Sequence, residues 1–190
     1  MINGALFYVL GTRDVLPVAL GEFLSVQEGV WQNAESTDYD FTTDLDLKGI
    51  NGKVDVYLDE RLVPHIFAED ENDAYFVQGY LHAKFRLWQM EFQTFAAAGR
   101  VSEIVGDKAV QFDRNQRRIG MVFAAENALA AMEKDDSTKA ALDAYTNGVN
   151  AYISSLNKSQ LPIEYKLLGY LPEKWSNLKS ALLDRKSTRL

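Results

Sequence analysis

The chain has 190 residues, of which 47% are apolar, and its formal net charge is −7. This length and apolar content suffice to bury the core of one domain, which excludes a disordered chain, and the negative charge argues against nucleic-acid binding, which needs a basic surface. The lack of cysteine excludes disulfides, a cysteine nucleophile and thiolate metal sites.

Residues 1–33 form a lead-in to the domain. Residues 2–10 are apolar, but no basic residue precedes them and they are too few to span a bilayer. Two interpretations stay open: the end of a truncated signal or membrane anchor that begins upstream of Met1, or a short buried segment. Residues 12–33 predict an irregular surface segment because they contain scattered proline and glycine.

The hydrophobic pattern has a period of two between residues 53 and 59. Polar residues alternate there with Val54, Val56 and Leu58, which predicts a half-buried strand. Residues 65–68 predict a second strand. We expect these strands to form a sheet on which the next element, a helix, lies.

Residues 70–98 carry the dominant pattern, a long helix that is apolar on two opposite faces. A surface helix needs one apolar stripe, so two stripes predict burial on both sides. Asp70 is the predicted N-cap, and Gly99 the predicted left-handed residue at the C-terminal end. The first stripe holds Phe76, Tyr80, Ala83, Leu87 and Met90, and the second holds Leu81, Phe85, Trp88, Phe92 and Phe95.

Two further amphipathic helices are predicted, one over residues 117–132 and one that begins after the N-cap Ser137. Gly148 lies inside the second helix, where glycine costs about 1 kcal/mol relative to alanine, so we expect close packing there. Residues 184–190 have the sequence obtained by translating a common sequencing adapter, GATCGGAAGAGCACACGTCTG. We interpret them as a reading artefact and expect the protein's own sequence to stop near Leu183.

The chemically interesting side chains are few. His65 and His82 have no partner histidine at metal-ligand spacing, so each is expected to make structural hydrogen bonds. Arg86 lies between the two apolar stripes, so we expect it to be buried and paired with a carboxylate from outside its helix.

An acidic cluster has the composition of a cation site, but it fits a solvated helix start better. The residues alone therefore predict an α+β domain, with no catalytic, cofactor-binding or metal residue. The cluster comprises Glu69, Asp70, Glu71 and Asp73.

Residues 63–106 read VPHIFAEDENDAYFVQGYLHAKFRLWQMEFQTFAAAGRVSEIVG. This segment resembles the signature of the penicillin acylase (penicillin amidase) family, whose usual form is close to GVPHI.A....D..FA.GY.HA.DRLWQME..R..A.GR.SE..G. The departures are Phe85, where the family usually has Asp, and Gln93 and Thr94, where Arg is common. Weaker similarity extends the resemblance over residues 54–183.

The resemblance implies a fold and a processing history. The fold would be part of the α/β/β/α sandwich of N-terminal nucleophile hydrolases, with residues 34–183 as a partial, mostly helical α-chain domain. Family members are precursors that cut themselves into an α chain and a catalytic β chain. The nucleophile is the serine that begins the β chain, and its α-amine, which titrates near ~7.7–8, serves as the base.

The implied function is hydrolysis of linear amides, such as penicillins or acyl-homoserine lactones. The implied partners are the β chain and a small-molecule amide, and the implied location is periplasmic or otherwise extracytoplasmic. No cofactor is expected in this chain, although the complete enzyme could hold calcium. The alternative is a non-catalytic binding or scaffold module that retains the α-chain architecture.

Overall fold

The computed structural model describes Leu24 and residues 41–187. Apart from Leu24, the predicted lead-in of residues 1–33 lies outside the described residues, as do the last three residues. The predicted division of the chain at residues 34–183 and 184–190 therefore stays a prediction.

The described fold begins with a hairpin of two antiparallel strands. Strand β1 is Val54–Leu58 and strand β2 is Pro64–Ala68, and the register pairs Val56 with Ile66. Both predicted strands are confirmed. Within residues 41–187 the sheet has no third strand.

Helices make up the rest of the described fold, which is the mostly helical architecture that we predicted; the four-layer sandwich stays a prediction. Along the described chain, no helix has both the length and the apolarity that a membrane span requires. The α-helices are α1 Glu71–Ala98, α2 Ser102–Val105, α3 Val110–Ile119, α4 Met121–Met132, α5 Asp136–Ser155, α6 Ile163–Leu168 and α7 Asn177–Ser187, with 3₁₀ turns at Asp107–Ala109 and Lys158–Gln160.

Helix α1 has the predicted ends. The Asp70 carboxylate accepts hydrogen bonds from the amides of Asn72 and Asp73, at 2.8 and 3.2 Å, and Gly99 adopts the left-handed conformation with φ 66°. The sequence pattern missed a kink at Arg86, where φ is −147° and ψ is 24°. Neither proline nor glycine lies at this position, so the usual sequence signal for a kink is missing.

The centre of the fold is the packing of α1 on α5, which is the most extensive contact between two elements. Two glycines lie where the helices approach most closely. A methyl group on Gly79 would overlap the carbonyl oxygen of Tyr145, and one on Gly148 would overlap the carbonyl oxygen of Phe76. The close packing expected at Gly148 is confirmed, because each helix leaves no room for a side chain on the other.

The first apolar stripe of α1 is buried in this packing. Phe76, Ala83 and Leu87 are at most 3% exposed, and Tyr80 is 7% exposed. Ala83 and Leu87 share a core cluster with residues from three later segments. The members of that cluster from beyond α1 are Val149, Leu161, Tyr165 and Trp175.

Within the described chain the second stripe is fully buried only at Phe95, so burial of α1 on both sides stays a prediction for the two-chain protein. Phe95 is buried and its ring lies 6.4 Å from the ring of Tyr170, whereas Phe85 is 42% exposed. Leu81, Trp88 and Phe92 are half-buried in the described chain, so the stripe is most open around Phe85.

Two helix predictions need correction. The helix predicted over residues 117–132 is two helices, α3 and α4, because Gly120 adopts a left-handed conformation with φ 74° and breaks the run. The N-cap of α5 is Asp135 rather than Ser137, since the Asp135 carboxylate accepts a hydrogen bond from the amide of Thr138 at 2.8 Å. In both cases the sequence pattern placed the start of a helix at the wrong residue.

Gly148→Ala should destabilise α1 even though alanine is the better helix former by about 1 kcal/mol. Overpacking of this kind typically costs about 1–3 kcal/mol, because the added methyl group forces the backbones apart. Native-state hydrogen exchange of the α1 amides in the complete precursor measures the effect. Gly52→Ala is the control, since its methyl group would lie 3.7 Å from Asp73 Oδ2, an ordinary contact. Equal exchange rates in both variants would contradict the packing.

Candidate functional site

The two histidines lie on different elements and face different partners. On β2, His65 Nε2 is 3.7 Å from Asp59 Oδ2 in an exposed pair. On α1, His82 Nδ1 is 3.1 Å from the hydroxyl oxygen of Tyr145 on α5. Both contacts have the structural character expected from the sequence. Burial, and then the charge of Arg86, lower the pKa of His82, while burial raises the pKa of Tyr145 to about 12.

Arg86 contradicts the prediction of a buried ion pair. The residue is exposed at the kink of α1, and along the described chain no carboxylate lies within ion-pair distance of it. The helical wheel placed Arg86 between two buried stripes, but the second stripe is open at this point, so its guanidinium reaches solvent. The positive charge of Arg86 helps to lower the pKa of His82, which lies one turn earlier on α1.

The acidic cluster is only partly the solvated helix start that we predicted. Asp73 is 1% exposed, and its carboxylate accepts hydrogen bonds from the amides of Asn51, at 3.1 Å, and Gly52, at 2.8 Å. It therefore fixes the turn before β1 to the first turn of α1. No group of acidic, histidine or cysteine side chains within the described part of the chain is arranged to hold a metal ion.

Glu91, which the sequence analysis did not single out, is as deeply buried as Asp73 on the same helix. It is 1% exposed, and its carboxylate accepts hydrogen bonds from the Tyr165 hydroxyl, at 2.8 Å, and from the Glu173 amide, at 2.6 Å. The ammonium of Lys179 lies 3.5 Å away. Residues 165, 173 and 179 thus meet at a carboxylate that lies 74 to 88 residues earlier in the sequence.

The network continues to the surface through Glu173. Its carboxylate lies 3.0 Å from Lys179 Nζ and 2.7 Å from an Arg100 nitrogen, and these cations lower the pKa of Glu173. Arg100 also pairs with Glu103 at 2.7 Å. Burial raises the pKa of Glu91, whereas the Tyr165 hydroxyl, the Glu173 amide and Lys179 oppose that rise.

Asp113 on α3 binds another segment in the same way. It is 4% exposed and accepts hydrogen bonds from the amides of Val101, at 2.9 Å, and Ser102, at 2.7 Å. The helical wheel places Glu91 in a seam between the two apolar stripes, so its spacing does not mark it as buried. Nor does any spacing mark Asp113, whose partners lie in another segment.

These carboxylates join segments and leave no obvious reaction centre. Along the described chain, neither histidine hydrogen-bonds to a serine, so a serine and histidine pair for nucleophilic catalysis is absent there. The buried carboxylates accept hydrogen bonds from amides, a hydroxyl and an ammonium, which occupy their oxygens. The arrangement holds segments of the fold together.

Comparison with known proteins shows the family to which this chain belongs. The sequence model of the family described as penicillin amidase matches residues 53–186. The chain belongs to the penicillin amidase family. The resemblance found in residues 63–106 is therefore confirmed over a much longer region.

Three relatives indicate the breadth of the family. The chain is 39% identical over 142 residues to penicillin acylase 2 proenzyme of Pseudomonas sp. (strain SE83), over 75% of this chain and 18% of that protein. It is 30% identical over 136 residues to penicillin G acylase of Escherichia coli, over 70% and 16% of the two chains. It is 34% identical over 137 residues to acyl-homoserine lactone acylase QuiP of Pseudomonas syringae pv. tomato, over 72% and 16%. The chain thus spans less than a fifth of these relatives.

A solved structure of thermostable penicillin G acylase from Alcaligenes faecalis has a similar fold, with a TM-score of 0.61 and 27% sequence identity. The match covers 69% of this chain and 69% of that chain. Because the two shares are equal, the matched chain is of similar length to this one.

Three residues of the penicillin amidase signature have structural roles in this chain. Asp73 holds the turn before β1, Gly79 permits the approach of α5, and Glu91 gathers three segments. Two of the positions that depart from the signature have other surroundings. Phe85 is exposed and its ring lies 6.4 Å from the ring of Phe41, whereas Thr94 is buried and its hydroxyl donates to the Glu91 carbonyl oxygen at 2.7 Å. The signature therefore identifies a folding unit.

Glu91→Gln should destabilise the domain, because the amide cannot replace a carboxylate that accepts hydrogen bonds from two segments and faces an ammonium. Hydrogen bonds to charged groups are worth about 1.5–3 kcal/mol each. The control is Glu103→Gln, which removes an exposed pair worth about 0–1 kcal/mol. Hydrogen exchange of the α7 amides in the precursor reports the difference. A larger effect at Glu103 would show that the network is misassigned.

His82 should titrate below the ordinary value of 6.5, because burial and the Arg86 guanidinium both disfavour its protonated form. Since the unfolded chain then binds the proton more tightly, stability should fall as the pH drops below 6.5 and should be restored above it. An NMR titration measures the pKa directly, and His65→Gln assigns the signal because the chain has two histidines.

Arg86→Gln is the matched variant for this measurement. Removing the cation should raise the pKa of His82 toward 6.5 without affecting its contact with Tyr145. A wild-type pKa at or above 6.5, or no response to the variant, would contradict the assignment.

Proposed function

We propose that this chain is the N-terminal, α-chain part of an amidohydrolase that cleaves linear amide bonds, and that the catalytic serine belongs to a β chain. The observation that carries the proposal is family membership over residues 53–186 combined with a span of less than a fifth of the curated relatives. The described residues contain a packed scaffold and no serine and histidine pair. A scaffold of this kind fits the role of a partner to the catalytic chain.

The substrate class follows from what the relatives share. Penicillin acylases and acyl-homoserine lactone acylases are both named for removing an acyl group from nitrogen. The proposed reaction is therefore attack by the N-terminal serine hydroxyl on the amide carbonyl, departure of the amine and hydrolysis of the acyl ester by water. The α-amine of that serine accepts the hydroxyl proton.

The β chain is proposed as a structural partner as well. The part of the second stripe around the exposed Phe85 is an apolar surface of the kind that a protein ordinarily covers. That one relative is named a proenzyme supports an origin of both chains from one precursor. An extracytoplasmic location and calcium in the complete enzyme are parts of the same proposal, and their support is the family resemblance.

The full chain by itself should hydrolyse no amide and should bind a hydrophobic dye through its open apolar surface. The experiment compares this chain with a chimeric proenzyme, in which residues 41–186 replace the matching region of penicillin acylase 2 proenzyme. Both are assayed with a chromogenic phenylacetyl amide and with an acyl-homoserine lactone. The chimera should be processed into two chains and should hydrolyse at least one substrate.

The host proenzyme with its own N-terminal region is the positive control, and the host without that region is the negative control. Turnover by the 190-residue chain alone would defeat the proposal. So would a compact, dye-free monomer together with an unprocessed chimera, which would favour the non-catalytic binding module.

A further inference from the structure

Asparagine followed by glycine occurs in the chain at residues 3–4, 51–52 and 147–148. The first pair lies outside the described residues, and the other two have contrasting surroundings. Asn51 and Gly52 are exposed and lie in the irregular stretch before β1. Asn147 and Gly148 lie inside helix α5, where Gly148 is buried against the carbonyl group of Phe76. The same dipeptide is thus open to solvent in one place and enclosed in the other.

An asparagine–glycine pair can undergo a reaction within its own main chain. The glycine nitrogen loses its proton and attacks Cγ of the asparagine, the carboxamide nitrogen leaves as ammonia, and a cyclic succinimide forms. Water then opens the ring at either of its carbonyls, which yields aspartate or isoaspartate. Glycine favours the attack because it has no Cβ to shield its nitrogen or to restrict the backbone. The net reaction consumes water, releases ammonia and replaces a carboxamide by a carboxylate.

The Asp73 carboxylate restrains this reaction at Asn51. It accepts the Gly52 N–H at 2.8 Å and the Asn51 N–H at 3.1 Å, and Asp73 is 1% exposed. A negative charge beside the Gly52 nitrogen disfavours loss of its proton, because the nitrogen would then become an anion. The attack on Asn51 therefore requires the turn to move away from Asp73.

We propose that Asn51 is a site of spontaneous modification, where ring closure onto the Gly52 nitrogen during openings of the turn yields isoaspartate and detaches the turn from Asp73. Isoaspartate places an additional methylene group in the main chain between the nitrogens of residues 51 and 52, so both N–H groups no longer reach one carboxylate. The reaction also adds a negative charge beside a buried carboxylate, which repels it. Detachment is therefore irreversible and removes the hold of α1 on the stretch before β1.

Asn147 provides a comparison within the same molecule. In an α-helix the Gly148 N–H donates to the carbonyl group four residues earlier, and ring closure would require the helix to open. Opening a helix in the core costs more free energy than opening an exposed turn. We therefore expect the folded chain to react at Asn51 and to spare Asn147.

Peptide mapping by mass spectrometry tests the site in the full 190-residue chain, incubated at neutral pH. In the folded chain, aspartate and isoaspartate should accumulate at Asn51 at least about tenfold faster than at Asn147, because reaction at Asn147 requires part of α5 to unfold. In denaturant both sites should react at similar rates, since both are asparagine–glycine pairs. Equal rates in the folded chain, or a faster reaction at Asn147, would overturn the proposal. So would an Asn51 that stays unmodified over the time in which the denatured chain is converted.

Asp73→Asn tests the restraint. The variant removes the negative charge beside the Gly52 nitrogen and should accelerate the reaction at Asn51 by about threefold or more. Asp55→Asn is the matched control, because the Asp55 carboxylate pairs with Lys53, whereas the Gly52 amide donates to Asp73. Equal acceleration in both variants, or none in Asp73→Asn, would contradict the role of Asp73. If Asn147 accelerates as well, the variant has unfolded, and the comparison of the two sites in the wild-type chain decides.

Hydrogen exchange at the amide of Gly52 measures the detachment. Chains that carry isoaspartate at position 51 should exchange this proton faster than unmodified chains from the same incubation. Asn51→Asp is the control, because it has the same added charge on an unaltered main chain and should keep most of the protection. Asn51→Gln should resist modification and stay protected throughout. Equal protection in modified and unmodified chains would overturn the proposed detachment.

Discussion

The backbone contact between α1 and α5 is the constraint on which the rest of the structure depends. Gly79 and Gly148 let the two helices approach until each helix's main chain lies against the other. This approach sets the position of the first apolar stripe, and with it the core that gathers Val149, Tyr165 and Trp175. A methyl group at either position would overlap the backbone of the facing helix, so this packing depends on glycine at both positions.

Buried carboxylates then attach the irregular segments to this helical pair. Asp73 holds the turn before β1, Glu91 holds residues near 165 and 173, and Asp113 holds the start of α2. Each sits on a helix and accepts hydrogen bonds from amides of another segment. A charge is costly to bury unless it is paired or hydrogen-bonded, and here that need fixes the position of the segments.

Local patterns predicted the local structure well. The alternation at residues 53–59 and the two ends of α1 were correct because they depend on neighbouring residues. The burial of Arg86 was predicted incorrectly because it depends on what covers the second stripe, and a helical wheel describes one helix without its neighbours. The kink and the break at Gly120 show the same limit.

The candidate site was predictable to a smaller extent. The family resemblance correctly placed the chain, whereas Glu91 and Asp113 went unnoticed as structural centres. Glu91 lies between the two stripes on the helical wheel, so its burial depends on the segments that cover it. Asp113 gives no signal either, because its amide partners are 11 and 12 residues away and have no distinguishing side chains.

The use of main-chain amides as partners of the carboxylates has an evolutionary consequence. A carboxylate that binds a backbone N–H is indifferent to the side chain at that position, with proline as the exception because it has no N–H. Asn51 and Gly52 are held in this way and are exposed, so substitution at these positions can alter the surface and leave the attachment intact. A short acidic signature on the helices can thus persist while the segments it secures diverge among members of the family.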